Sequence, residues 1–321
     1  MPNYTRLTRE ERYTIETMGR NGFKQHQIAE TLGRSRSTVS RELQRPRKAS
    51  AYCHKDADAH AKEQTGGGQR VDESLLAIAE TKMREDQWSP EQTSAWMAKE
   101  GHGSVSHETI YQHVYRDKEQ GGDLHTHLRH RHKSYRKRGS GRERRGRLKD
   151  QVMIDDRPDI VEERGRIGDW EMDTVIGRPG GPVLVTMVER VSRYTLIALA
   201  ASKEAAEVGG AIIAAMSHCR EKVLTTTYDN GKEFAMHKLL GEILEADAYF
   251  AHPYHSWERG LNENTNGLIR QYFPKGIDFS KVSPEQVAKV QKKLNRRPRK
   301  CLDYQTPHDI FDPPPPVALA A

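Results

Sequence analysis

The sequence predicts a multi-domain chain in which N-terminal all-α helix-turn-helix modules precede an α/β domain with a mixed sheet and flanking helices. Three observations predict this. Helical periodicity interrupted by turn glycines occurs twice before residue 123. After residue 151, apolar runs of strand length alternate with helical patterns. The charge also divides there: residues 1–150 carry 30 Lys and Arg against 21 Asp and Glu, a net of +9, and residues 151–321 carry 22 against 24, a net of −2. The front half therefore has the footprint of a polyanion binder, and the back half suits a domain that keeps its own acids.

The elements follow in order. Residues 5–45 read as three helices. The first carries Tyr13, Ile15 and Met18 and ends at Asn21-Gly22. The second places Ile28, Ala29 and Leu32 together, and Gly33 supplies the turn. The third turns Val39 and Leu43 inward and leaves Arg36, Ser37, Thr38, Ser40, Arg41 and Arg45 outward, a helix-turn-helix with a polar, Arg-bearing second helix. Residues 49–70 read as a linker, with Gly66-Gly67-Gly68 as its clearest break. Residues 71–123 form a second helical module. Val71 to Arg84 is amphipathic, Ser89-Pro90 starts a helix bearing Trp96 and Met97, and Ser106-His107-Glu108-Thr109 opens another. DNA contact is the expected role of this module, and a packing or dimer surface is the alternative.

Residues 124–152 read as a basic linker. Between 129 and 149 lie 11 Lys and Arg and one acid, Glu143, so phosphate contact without base specificity is expected. His125, His127, His130 and His132 read as part of that solvated stretch rather than as a metal site, since no cysteine accompanies them. From 153 to 321 the order is strand (167–176), a strand pair (182–191 and 194–200) turning at Ser192-Arg193, helix (203–221), strand (223–228), helix (234–244), short strand (249–251), helix (262–273) and a late helix (283–297) with a basic end.

Composition narrows the classes. The apolar fraction is 35%, the charged fraction 30% and the mean hydropathy −0.87, which favours small domains and solvated linkers. No run approaches a membrane span, the first residues lack an apolar signal core, and three scattered cysteines suit a reducing cytoplasm. A cytoplasmic location is expected.

Three carboxylates carry the chemistry: Asp173, Asp229 and Glu263. Asp229 lies in Tyr228-Asp229-Asn230-Gly231-Lys232-Glu233-Phe234, at a strand's C-terminal end, where open α/β sheets place ligand sites. Glu263 lies in Asn262-Glu263-Asn264-Thr265-Asn266-Gly267, separated from Asp229 by 33 intervening residues and near a helix start. Asp169, Glu171 and Asp173 share one face of the first strand, so periodicity alone leaves the first acid open among them. Three acids from separate elements suit two hard divalent cations, which can drive phosphoryl transfer on DNA. On the Glu263 helix, Asn266 and Arg270 share its face, so Arg270 is expected at a phosphate. His252 reads equally as a positioning residue or a loop histidine, and Trp257 reads as a core anchor before a base-stacking residue.

These segments together resemble bacterial insertion-sequence transposases of the D-D-E type, the IS-thirty group. The resemblance rests on Gly168 to Val175, the Asp229 segment, His252-Pro253-Tyr254, Ser256-Trp257-Glu258-Arg259-Gly260 and Asn262 to Gly276, on the 33-residue interval, and on both helical modules. It spans nearly the whole chain and implies an RNase H-like catalytic domain with Asp173 as the first acid. It also implies Mg²⁺ dependence, with two ions and Mn²⁺ able to substitute, and recognition of terminal inverted repeats by the N-terminal half. The expected activity is a DNA transposase, a polynucleotidyl transferase acting on double-stranded element ends and target DNA as a homodimer or larger assembly. The residues expected at DNA are Arg34, Arg36, Ser37, Thr38, Arg41, His107, Thr109, Arg136, Lys137, Arg138, Arg144, Arg145, Arg259, Asn266, Arg270 and Lys275. A helix-turn-helix regulator with a non-catalytic α/β oligomerisation domain is the competing reading.

Overall fold

The computed structural model describes residues 6–44, 52–65, 72–129, 150–253 and 255–313. The chain divides into two compact units, 1–72 and 73–321.

In the first unit, α1 (Arg9–Arg20), α2 (Gln25–Thr31) and α3 (Arg36–Leu43) enclose Leu7, Ile15, Ile28, Ala29 and Val39. Thr8 closes a capping box with Glu11, and Ser35 caps α3 by accepting the Thr38 N–H; each such cap contributes about 1 kcal/mol. Gly33 sits at φ +61° between α2 and α3, a conformation glycine adopts without a Cβ penalty. The linker expectation for 49–70 fails at α4 (His54–Thr65). This helix has little apolar character, so its pattern resembles a loop. Its anchors are polar: Arg12 reaches both Glu42 (2.9 Å) and Asp58 (3.0 Å), and Glu16 meets His54 (2.6 Å).

The second unit begins with α5 (Glu73–Asp86), α6 (Pro90–Lys99) and α7 (His107–Glu119). Ala79, Met83, Met97, Ile110 and Val114 are buried along them. After α8 (Asp159–Glu163), five strands form one sheet: β1 (Asp169–Ile176), β2 (Val183–Glu189), β3 (Thr195–Ala200), β4 (Thr225–Tyr228) and β5 (Asp247–Phe250). Their order is β3-β2-β1-β4-β5. The β1–β2 and β2–β3 pairs are antiparallel; β1–β4 and β4–β5 are parallel. The mixed sheet with flanking helices is as expected. The helices are α9 (Ala205–Met216), α10 (His237–Leu244), α11 (Gly260–Ile269), α12 (Pro284–Asn295) and α13 (Pro307–Phe311).

Strand alternation sends Trp170 and Met172 into one core with Val208, Ile212 and Met216 of α9 and Leu240 and Leu244 of α10. Val175 enters a second core with Leu268 and Ile269 of α11 and Val287, Val290 and Leu294 of α12. Asp169, Glu171 and Asp173 therefore share the α11 face of the sheet. At the basic end of α12, Arg297 is buried and Arg299 half-buried, while Arg296 and Lys300 are exposed. Arg297 reaches Gln271 Oε1 (3.0 Å) and the Tyr272 hydroxyl (2.7 Å), and burial pushes the Arg299 guanidinium down to about 9. This C-terminal segment also holds α6: Gln92 Nε2 donates to the Pro298 carbonyl (2.8 Å), and Lys300 meets Glu91 (2.7 Å).

Candidate active site

The β1–β4 register brings the first two acids together. Glu171 pairs with Thr227, so Asp173 and Asp229, each two residues further on, fall at the same level of adjacent strands, which run about 4.8 Å apart. Backbone N–H groups hold one oxygen of each carboxylate. Thr174 donates to Asp173 Oδ1 (2.8 Å) and Gly231 to Asp229 Oδ1 (2.9 Å). The other oxygens converge on one guanidinium: Arg259 Nη1 lies 3.7 Å from Asp173 Oδ2, and Nη2 lies 3.6 Å from Asp229 Oδ2. Burial raises the Asp173 carboxyl above the ordinary aspartate range; Arg259 opposes the rise and Asp229 adds to it.

The structure distinguishes the three acids of β1 by their partners. Asp169 is buried and held by Arg166 (3.2 Å) and the Thr225 hydroxyl (2.8 Å). Glu171 is buried against Arg190 (2.6 Å) and accepts the Asn262 N–H (3.2 Å). Asp173 alone of the three opens toward Asp229. Glu263 stands exposed on the first turn of α11. One turn on, Asn266 Nδ2 donates to Asp173 Oδ2 (2.9 Å), and Thr186 donates to Asn266 Oδ1 (3.2 Å), which ties this helix face to the sheet. The Asn262 amide is buried with neither side-chain atom bonded among the described residues.

Sequence reasoning missed Glu233. It is buried, accepts from the Thr174 hydroxyl (3.2 Å), pairs with Lys203 (2.9 Å), and its charge also pushes the Asp173 carboxyl up. Its signal was present four residues after Asp229 in the same motif. Gly231 lies close against both acids: a Cβ there would lie 2.7 Å from Asp229 Oδ1 and overlap Glu233 Oε2, so any side chain would displace the carboxylates.

The residues expected at DNA have varied surroundings. Arg36, Ser37 and Arg41 are exposed along α3, and the Ser37 and Thr38 hydroxyls meet Ser35 Oγ (2.9 and 2.8 Å). Arg34 is engaged by Glu11 (2.8 Å). The start of α7 repeats the α3 cap, with Thr109 bonded to Ser106 Oγ and His107 exposed. Arg259 lies between the acids, Asn266 holds Asp173, and Arg270 donates to the Ile176 carbonyl (2.7 Å), while Lys275 is exposed. Arg136, Lys137, Arg138, Arg144 and Arg145 lie outside the described residues. Trp257 is not a core anchor: it is 70% exposed, stacked on His255 at 4.4 Å, because its turn stands off the sheet before α11 begins. His252 is held by Glu258 (3.0 Å) and Asp155 (3.0 Å), and the Glu258 carboxylate raises its imidazole above the ordinary range.

A helix-turn-helix domain model matches residues 3–46. The chain is 41% identical over 309 residues to the transposase for insertion sequence element IS4351 of Bacteroides fragilis, covering 95% of each. It is 33% identical to the transposase for IS1086 of Cupriavidus metallidurans, over 96% of this chain and 94% of that one. It is 34% identical to the transposase InsI for IS30A of Escherichia coli, over 89% of this chain and 78% of that one. Among the described residues no helix is long and apolar enough to cross a membrane. On the strength of relatives matched along nearly its whole length, the chain belongs to the IS30 family of insertion-sequence transposases, with a helix-turn-helix module ahead of a mixed α/β domain.

Proposed function

We propose that Asp173, Asp229 and Glu263 are the catalytic acids of a two-metal DNA strand cleavage and strand transfer, holding Mg²⁺ with Mn²⁺ as a substitute. The observation that carries this reading is the pair of carboxylate oxygens of Asp173 and Asp229 converging on one Arg259 guanidinium. Two acids from adjacent strands there share a locus that accepts positive charge, and every donor is an oxygen, which suits a hard, partly hydrated cation. Bound cations would activate the attacking hydroxyl and stabilise the leaving 3′-oxygen of the DNA.

The chain's own groups supply the geometry. The Thr174 and Gly231 N–H groups fix the carboxylate planes, so the Oδ2 atoms converge on the locus where a cation would be held. Asn266 couples α11 to Asp173 and sets where Glu263 stands. Arg259 moves from the acids to a phosphate oxygen when DNA and cation arrive. Trp257, exposed beside this turn, stacks on a base near the cut. Arg36, Ser37, Thr38 and Arg41 read the terminal inverted repeats, and the basic run around Arg136–Arg145 neutralises phosphates. Joining two ends needs two such sites, so the working form is a dimer or larger assembly in the bacterial cytoplasm.

The test uses purified protein, Mg²⁺, and a plasmid carrying the element ends. Wild type nicks at the ends; Glu263→Gln binds them with unchanged affinity and does not cut. Retained cleavage in Glu263→Gln would remove the third acid from the site. Arg41→Ala is expected to weaken end binding and to lower the slope of log K against log salt by about 1 if Arg41 meets a phosphate. Undiminished specific binding would exclude α3 as the reader. Specific binding without cleavage by wild type in Mg²⁺ or Mn²⁺ would favour a regulator.

A further inference from the structure

We propose a second cation site, separate from the catalytic acids, in which His252, His255 and Glu258 bind a divalent transition ion of the Zn²⁺ class. Among the described residues, these three form the grouping of His, Cys, Asp and Glu side chains compact enough to hold an ion, with one ligand atom from each lying within 4.8 Å of the others. The inward atoms are mutually close: His252 Nδ1 and His255 Nδ1 each lie 3.0 Å from Glu258 Oε1. An ion with bonds of about 2.1 Å would need donors roughly 3.4 Å apart in a tetrahedral arrangement, so small side-chain adjustments suffice.

The surroundings are those of a built site. Glu258 Oε2 accepts the His252 backbone N–H (2.8 Å), which turns Oε1 toward the two rings. Asp155 Oδ2 lies 3.0 Å from His252 Nε2, the far ring nitrogen. With an ion bound, that contact would hold the proton on Nε2 and leave Nδ1 to the ion, the carboxylate–histidine–metal arrangement. Trp257 stacks on the His255 ring and restricts its rotation. Two imidazoles and one carboxylate with an open fourth position select a borderline ion over Mg²⁺. Glu258 adjoins Arg259, so an ion here would lock the turn that presents Arg259 to Asp173 and Asp229. The site thus joins Asp155 and the β5–α11 turn into one unit.

The experiment uses the full chain, stripped with chelator and titrated with Co²⁺, whose visible absorption reports a tetrahedral N/O site. Absorption that saturates at a single equivalent, survives Asp229→Asn and is lost in His255→Gln supports the site. Asp155→Asn is expected to weaken Co²⁺ binding about 10-fold while keeping the spectrum, because the ligands remain. Thermal melts in chelator check that each variant is folded, and His252→Gln repeats the ligand test if His255→Gln is not. Three results would overturn the proposal: no absorption at large Co²⁺ excess, absorption that persists in both histidine variants, or absorption that disappears in Asp229→Asn. Because the readout is metal binding, failed DNA cleavage leaves it intact.

Discussion

Replacing Arg259 by Met tests the electrostatics of the site directly. Each guanidinium–carboxylate contact, at 3.7 and 3.6 Å, has a gross Coulomb energy of about 4.5 kcal/mol at an effective dielectric of ~20. Solvent reduces this strongly, since the side chains are 14%, 23% and 21% exposed. Such pairs fall between exposed ones, worth about 0–1 kcal/mol, and fully buried ones, whose disruption costs about 3–5 kcal/mol. A loss of roughly 2 kcal/mol is therefore expected without divalent cation, or about 4–8 °C in Tm. The sign with pH is defined. Asp173's carboxyl is already raised in the folded state, first by burial, and losing Arg259 raises it further. A raised acid binds its proton more tightly when folded, so stability falls as pH climbs from the unfolded aspartate value through the folded one. The loss is complete above that and is recovered in acid. Mg²⁺ should stabilise the variant more than wild type, because no cation competes for the acids; a 100-fold excess over Kd adds about 2.7 kcal/mol. The assay is thermal denaturation in chelator and in Mg²⁺, at acidic and neutral pH. A variant as stable as wild type at neutral pH in chelator, or equal Mg²⁺ stabilisation of both, would refute the reasoning.

Two further outcomes are expected. Arg190→Met leaves Glu171 buried beside α11 without its 2.6 Å partner, and should lower stability by about 3–5 kcal/mol in a melt, with Glu171→Gln in the same chain restoring much of it; an unchanged Tm would mean the pair does not hold the sheet to α11. Trp257→Ala should shift stability by no more than about 0.5 kcal/mol, since the ring is exposed, yet weaken binding to cleavage-site DNA by about 1–3 kcal/mol. Equal DNA affinity for both proteins would remove Trp257 from the interface.

The sequence by itself determined what depends on neighbours along the chain. The Ser35, Ser89, Ser106 and Ser283 caps, the Gly33 turn, the β2–β3 hairpin at Ser192-Arg193 and the alternation that splits β1 between two cores are local, because a cap reaches three residues and strand parity only two. The interval from Asp229 to Glu263 was readable for the same reason: it is a distance along the chain. Tertiary structure decided the partners. Asp169, Glu171 and Asp173 are equivalent by periodicity, and only the distant Thr225, Arg190 and Asn266 distinguish them. Arg34, Arg259 and Arg270 looked outward because arginine is charged, but Glu11, the paired aspartates and the Ile176 carbonyl hold them. Helix α4 lacked an apolar stripe because ion pairs anchor it, and Trp257 looked like core because its sequence could not show that the sheet ends before it. Periodicity records which face of an element a residue occupies; only packing sets what that face meets.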